Sequence, residues 1–296
     1  MASPGNSSAP QTSGKQMKSF SLLFYKAVRD HKPVWMLEDM RTMETFYQED
    51  DAGRRIYSPS EALLYAIVHD HQAYAQYLLS HYSEEALARP GERFFCFPSS
   101  APHLAMAVRY DRRYILGLIL QEAHRTRAVA AAAACRSRGG GFPAEDGKTP
   151  LHLACELLRP EAVIMLLGNG APPLAVDHNG MTPLDVVLDK FRGAGVNAAE
   201  TRQCLDNLLM FMPEMNFKSK RALAKDPDCW TEALGEETYQ YVVGRSPAPL
   251  LLLAMQTTLR QLSPASFPES LDELPIPSSL KPPGLPSARR LRTRLM

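Results

Sequence analysis

Two Thr-Pro pairs, Thr149-Pro150 and Thr182-Pro183, stand 182 − 149 = 33 residues apart in a chain of 296. Each leads into the same kind of run, Leu151-His152-Leu153-Ala154 after the first and Leu184-Asp185 after the second. A fixed period of this size marks a repeat architecture, in which one supersecondary unit recurs and each copy buries its apolar face against its neighbours. Each part of the unit has a physical reason. Asp146-Gly147 and Asn179-Gly180 supply turn chemistry, because glycine accepts positive φ. The threonine hydroxyl caps a helix, and proline suits the first turn, whose N–H has no helical partner. Leu151, Leu153 and the small Ala154 then face a core. Val163, Ile164, Leu166 and Leu167 form the stripe of a second helix, which Gly168-Asn169-Gly170 ends with residues that tolerate a left-handed backbone.

These residues resemble the ankyrin repeat family. Gly147, Thr149, Pro150, Leu151, His152, Ala154, Leu166, Leu167, Gly170 and Ala171 match its pattern. The second copy keeps Asp177, Gly180, Thr182, Pro183 and Leu184 but carries Asp185 where the family has histidine. The resemblance implies a structural role for these positions, with His152 hydrogen-bonding at the turn. The family's Gly-His turn falls on Arg159-Pro160 here, so that turn must be built differently.

Two repeats cannot stand alone, so upstream partners are expected. Aligning the small residue of each first helix gives Ala27, Ala66, Ala107, Ala154 and Val187, at spacings of 39, 41, 47 and 33. The fold class is all-α, an ankyrin-like stack of about five helix pairs, some degenerate, with a C-terminal helical module. Residues 1–18 form a disordered tail and 19–212 the repeat domain, with a low-complexity insertion at 124–146. A helical extension over 213–246 docks through Trp230, Leu234, Tyr239 and Val242. The C-terminal module spans 247–285, and 286–296 is a basic disordered tail carrying Arg289, Arg290, Arg292 and Arg294.

The C-terminal module at 247–285 contains a short apolar helix, a proline-bounded turn, a second short helix and an extended Leu-Pro-Ile-Pro run. Leu250, Ala254 and Thr258 recur at i, i+4 and i+8, one helix face. So small a piece cannot bury its own apolar surface; Leu262, Phe267 and Leu271 are expected to fold back on the helix, and the rest must meet the repeats or a partner. The segment resembles the SOCS box, the adaptor-binding module of cullin-RING ubiquitin ligase receptors. Pro249, Leu250 and Ala254 fit the elongin-binding part, whose next apolar position falls on Thr258 with Leu259 beside it. Leu274, Pro275, Ile276, Pro277 and Leu280 fit the cullin-binding part in its cullin-5 form. The Tyr-Leu that usually ends that part is replaced by Pro283-Gly284. What the resemblance implies is a substrate receptor: a target protein held on the repeats, with elongin B/C, cullin-5 and a RING-box protein recruited through the box. The alternative is a plain ankyrin scaffold whose box is a decayed structural cap.

Other classes find little support. A formal net charge of +1 favours neither nucleic acid nor acidic substrates. The N-terminus lacks a signal peptide's apolar core, and no run approaches the roughly 20 apolar residues of a membrane span. Five cysteines, none in a CxxC, fit reduced thiols in a cytosolic or nuclear protein, Cys155 acting as a small hydrophobe. His69, His71 and His81 do not share a helix face as metal ligands would. Gly139-Gly140-Gly141 lacks the lysine of a phosphate loop, and no catalytic motif occurs. No catalytic residue, cofactor or metal is expected. Tyr74, Tyr77, Tyr110 and Tyr114 are candidate interface anchors on the repeats.

Overall fold

The computed structural model describes residues 23–42, 57–91, 101–126, 147–192, 197–212, 214–277 and 281. All regular structure among them is helical. Five helix pairs follow in order. The first is α1 (23–29) with α2 (Val34–Thr42), the second α3 (Pro59–Val68) with α4 (Gln72–His81). A short helix that the sequence does not announce, α5 (Ser83–Leu87), trails the second pair. The third pair is α6 (Pro102–Arg109) and α7 (Arg113–Thr126), the fourth α8 (Pro150–Glu156) and α9 (Pro160–Gly168), the fifth α10 (Pro183–Phe191) and α11 (Ala198–Phe211). The first helices α3, α6, α8 and α10 pack on one another in chain order, and α4, α7, α9 and α11 form a second row behind them.

The aligned small residues explain the close stacking. Ala27, Ala66, Ala107, Ala154 and Val187 are all buried. Helix starts follow the expected chemistry: the hydroxyls of Ser58, Thr149 and Thr182 each accept from an N–H in the first turn, and each helix begins with proline. Gly147 and Gly180 adopt φ of 68° and 71°, as the turn readings require.

The turns inside the pairs are where the chain departs from a glycine-based repeat. His31, Asp70, Asp111 and Leu158 have φ of 51°, 55°, 53° and 52°. Each lies four residues after its aligned alanine, so the four turns are one structure repeated. The fourth turns at Leu158, one residue before the expected Arg159-Pro160. The N–H of the next residue closes each turn on the alanine carbonyl, from Lys32, His71, Arg112 and Arg159 at 3.0, 2.9, 2.8 and 2.9 Å. A left-handed non-glycine residue costs on the order of 1 kcal/mol. Bonds between repeats help offset it: His71 Nε2 lies 3.0 Å from the Lys32 carbonyl, and Arg112 donates to the Ile67 and Val68 carbonyls at 3.1 and 2.8 Å. Arg159 reaches the Asp111 carboxylate at 3.6 Å.

Beyond the stack, α12 (Lys220–Leu223), α13 (Pro227–Leu234) and α14 (Glu236–Val243) bury Trp230, Leu234, Tyr239 and Val242, as anticipated. Arg202 of α11 holds them by donating to the Leu234 carbonyl and, at 3.0 Å, to the Thr238 hydroxyl. The chain ends in α15 (Leu250–Gln261), a 3-10 turn at Pro264–Ser266, and α16 (Glu269–Asp272). Residues 124–126, placed in the insertion by the sequence, are the last turn of α7. The tails expected at 1–18 and 286–296, insertion residues 127–146, Cys96 and Cys135 lie outside the described residues.

Candidate binding surfaces

Helix α15 starts after Pro249 and lies on α11. Its inner side carries Met255, Gln256 and Leu259, all buried. The Gln256 amide nitrogen reaches the carbonyls at the end of α11, Leu209 at 2.8 Å and Met212 at 3.1 Å, and the Tyr241 hydroxyl at 3.3 Å. Fixing that side turns the other outward. Leu250 is 85% exposed, Leu251 56% and Leu253 43%, with Ala254 also exposed and Thr258 partly so. Leu250, Ala254 and Thr258 therefore share an outer face, while Pro249 is half-buried at the helix start. Leu259 does not belong with them. One residue is a 100° rotation on a helix, and that step carries Leu259 from the outer face of Thr258 into the interior.

Leu259, Phe267 and Leu271 form a small core with Ile164 of α9, the fold-back expected from the sequence, with Leu262 and Leu274 packed partly against it. Phe267 is seated on Gly168, where an added Cβ would come within 2.3 Å of the ring. The sequence assigned Gly168 to the turn, but it is the last residue of α9, and its role is to leave room for Phe267. The left-handed turn residue is Gly170, with φ 91°. Within the proline run, Pro275 and Pro277 are exposed. Leu274 and Ile276 are half-buried, and Leu280 lies outside the described residues. The predicted cullin set is thus split, its prolines facing solvent and Leu274 helping to anchor the run.

On the repeats, Leu151, Ala154 and Leu184 are core residues. His152 is buried: Nδ1 accepts from the Thr149 N–H at 3.2 Å, and Nε2 lies 3.0 Å from the Met181 carbonyl of the next unit. The bond with Thr149 is the turn hydrogen bond that its place in the motif implied, and the contact with Met181 adds a link between repeats. Asp185 occupies the same place one unit on. Burial pushes its carboxyl pKa up, but hydrogen bonds from the Ser219 hydroxyl and amide and from Thr182 outweigh this and leave it below the usual carboxylate range.

Of the tyrosine anchors, Tyr110 is exposed, Tyr77 and Tyr114 are half-buried, and Tyr74 is fully buried. Leu157, exposed to the same 38% as Tyr110, occupies the same repeat position, three residues after the aligned alanine. Val176 and Leu174 project from the turn before α10. Aromatic character marks Tyr110 but none of these three aliphatics; the repeat alignment of Ala107 with Ala154 pairs Leu157 with Tyr110. An open groove of about 590 Å³ lies elsewhere, lined by His81, Tyr82, Glu84, Glu85, Glu122 and Arg125 among others. Its buried Glu122 is already paired with Arg125 at 3.0 Å. No three His, Cys, Asp or Glu side chains among the described residues are grouped to hold a metal ion, and no described helix is long and apolar enough to cross a membrane.

The ankyrin repeat family model matches residues 146–178. Ankyrin repeat domain-containing protein 9 of Mus musculus is 41% identical over 294 aligned positions, covering 90% of this chain and 90% of that protein. Two plant proteins, the BTB/POZ domain and ankyrin repeat-containing proteins NOOT1 of Medicago truncatula and COCH of Pisum sativum, are each 47% identical over 47 residues. Those matches cover 16% of this chain and 10% of each plant protein.

Proposed function

Because the chain belongs to the family of ankyrin repeat domain-containing protein 9, we propose that it is a non-catalytic substrate receptor of a cullin-RING ubiquitin ligase. The repeats hold a target protein. The outer face of α15 binds elongin B/C, the proline run meets cullin-5, and a RING-box protein completes the assembly. The cell compartment is the cytosol or nucleus. No covalent chemistry takes place on this chain. Its contribution is proximity: holding target and ubiquitin machinery on one body makes their encounter effectively intramolecular.

The observation that carries this proposal is the direction in which the C-terminal side chains point. A structural cap would bury Leu250 and Ala254 in the last repeat. Both are exposed instead, beside Leu251 and Leu253, and Pro275 and Pro277 are exposed as well. Four apolar side chains left in water on one short helix are the signature of a surface awaiting a partner. Leu157, Tyr110, Leu174 and Val176 are the corresponding apolar positions for a target on the repeats.

The test is co-purification of the tagged chain with elongin B/C and cullin-5. Wild type is expected to retain all of them, Leu250→Asp to lose elongins and cullin together, and Pro275→Ala with Pro277→Ala to lose cullin alone. Circular dichroism checks that each variant is folded. A folded wild type that retains none of these partners overturns the proposal and leaves an ankyrin scaffold.

A further inference from the structure

Five Ser-Pro or Thr-Pro pairs fall within the described residues: Ser58-Pro59, Thr149-Pro150, Thr182-Pro183, Ser246-Pro247 and Ser263-Pro264. Three of the hydroxyls are committed to helix caps, Ser58 at α3, Thr149 at α8 and Thr182 at α10. Ser246 is half-buried, with its N–H held by the Gln240 carbonyl at the end of α14. Ser263 differs from all of them. It lies in the connection between α15 and α16, its backbone is extended at φ −72° and ψ 128°, and its hydroxyl caps nothing. Ser263, Pro264, Ala265 and Ser266 are exposed in succession, as are Arg260 and Gln261 before them.

We propose that Ser263 is a phosphorylation site for a proline-directed protein kinase acting on the folded chain. Such an enzyme must take the acceptor in extended form with proline directly after it, and among these pairs Ser263 offers both with an exposed hydroxyl. The Ser263 oxygen attacks the γ-phosphorus of ATP, the bond to the β-phosphate oxygen breaks, ADP leaves, and the hydroxyl proton passes to the kinase's carboxylate base. The product carries a charge of about −1.5 to −2 at neutral pH. That charge stands three residues after Arg260, at the end of the helix that presents Leu250 and Ala254, and four residues before the seated Phe267. The modification thus places a strong anion between the outward apolar face and the anchor that holds the segment to α9.

The experiment uses the full-length folded chain, a proline-directed serine/threonine kinase and ATP, with phosphopeptides mapped by mass spectrometry. Ser3-Pro4 lies outside the described residues, so incorporation is followed on the peptide that carries Ser263. That peptide is expected to be phosphorylated in the native chain. Pro264→Ala is expected to reduce its phosphorylation at least tenfold, and Ser263→Ala to abolish it, with circular dichroism unchanged in both. Thr149 and Thr182 are expected to react only after heat unfolding. Native chain that leaves Ser263 unmodified overturns the proposal, as does phosphorylation of Thr149 or Thr182 in the native chain at the same rate as Ser263.

Discussion

Ser219 gives both its backbone N–H and its hydroxyl to the Asp185 carboxylate, at 2.7 and 2.6 Å. The other carboxylate oxygen takes the Thr182 N–H at 2.9 Å, the Thr182 hydroxyl at 2.8 Å and the Lys218 N–H at 3.1 Å. In the preceding unit His152 lies against a carbonyl of the next repeat. Asp185 reverses that polarity: a helical extension follows instead of another repeat, and it presents N–H groups, which a carboxylate can accept.

Asp185→Ala is therefore expected to destabilise the chain by about 3 kcal/mol, since it leaves the buried Thr182 donors and the half-buried Ser219 donors unpaired. Asp185→His restores the family's residue but cannot accept from all of these donors, and it is expected to cost a comparable amount. Because the folded pKa lies below the unfolded value, the Asp185 contribution is fully present above about pH 4 and is lost as pH falls through the folded pKa. Urea unfolding of both variants checks this. An Asp185→Ala chain within about 0.5 kcal/mol of wild type would show that the carboxylate does not hold the extension.

The anchor between Phe267 and Gly168 gives a second prediction. A methyl on Gly168 has no room under the ring, so Gly168→Ala is expected to displace Phe267 and release α16 while α8 and α9 stay folded. Phe267→Ala removes the same contact from the other side, at a cost of about 3 kcal/mol or more. Hydrogen exchange resolves the two regions: protection over 264–274 should fall sharply in either variant, with 150–168 changed far less. Equal loss in both regions would mean that the segment and the repeats unfold as one unit.

Much of this arrangement is legible in the chain because it is local. Thr149-Pro150 and Thr182-Pro183 announce helix starts, and the row of small residues from Ala27 to Val187 predicts the stacked face. The spacing of Leu250 and Ala254 predicts a shared helix side. The left-handed turns are not legible, because His31, Asp70, Asp111 and Leu158 carry no glycine to mark them; only their common distance from the aligned alanines does. Leu259 stands next to Thr258 in the motif but faces the interior, because adjacency in a motif is not adjacency on a helix. Phe267 on Gly168 and Ser219 on Asp185 join residues that no local pattern connects.

The two sides of α15 should separate stability from binding. Leu250→Asp puts a charge on a side chain already 85% exposed, and is expected to change stability by no more than about 0.5 kcal/mol. Leu259→Asp places an unpaired carboxylate among Ile164, Phe267 and Leu271, and is expected to cost about 3 kcal/mol or more. Thermal unfolding of the two variants side by side makes the comparison. A large drop in Tm for Leu250→Asp would place that leucine inside the fold.

The histidines that link neighbouring repeats predict how the stack responds to acid. His103 is buried, with Nε2 3.1 Å from both the carbonyl and the hydroxyl of Ser60, and burial holds its pKa down to about 4. His71 and His152 are displaced in the same direction, again chiefly by burial. Their geometry agrees, because the Nδ1 of each accepts a backbone N–H, from Tyr74 and Thr149 respectively, and a proton there would set donor against donor. An unfolded histidine binds its proton near pH 6.5, so between about 6.5 and 4 the unfolded chain holds more protons and stability falls as pH falls. For His103 alone the loss reaches about 3 kcal/mol at the acid end of that window. His103→Gln keeps a donor for the Ser60 carbonyl and removes the titration, so its stability should fall less steeply than wild type's across the window, by up to one proton's worth of slope. Urea unfolding at several pH values between 7 and 4.5 measures that slope, and identical slopes for the two chains would exclude His103 as a source of the acid sensitivity.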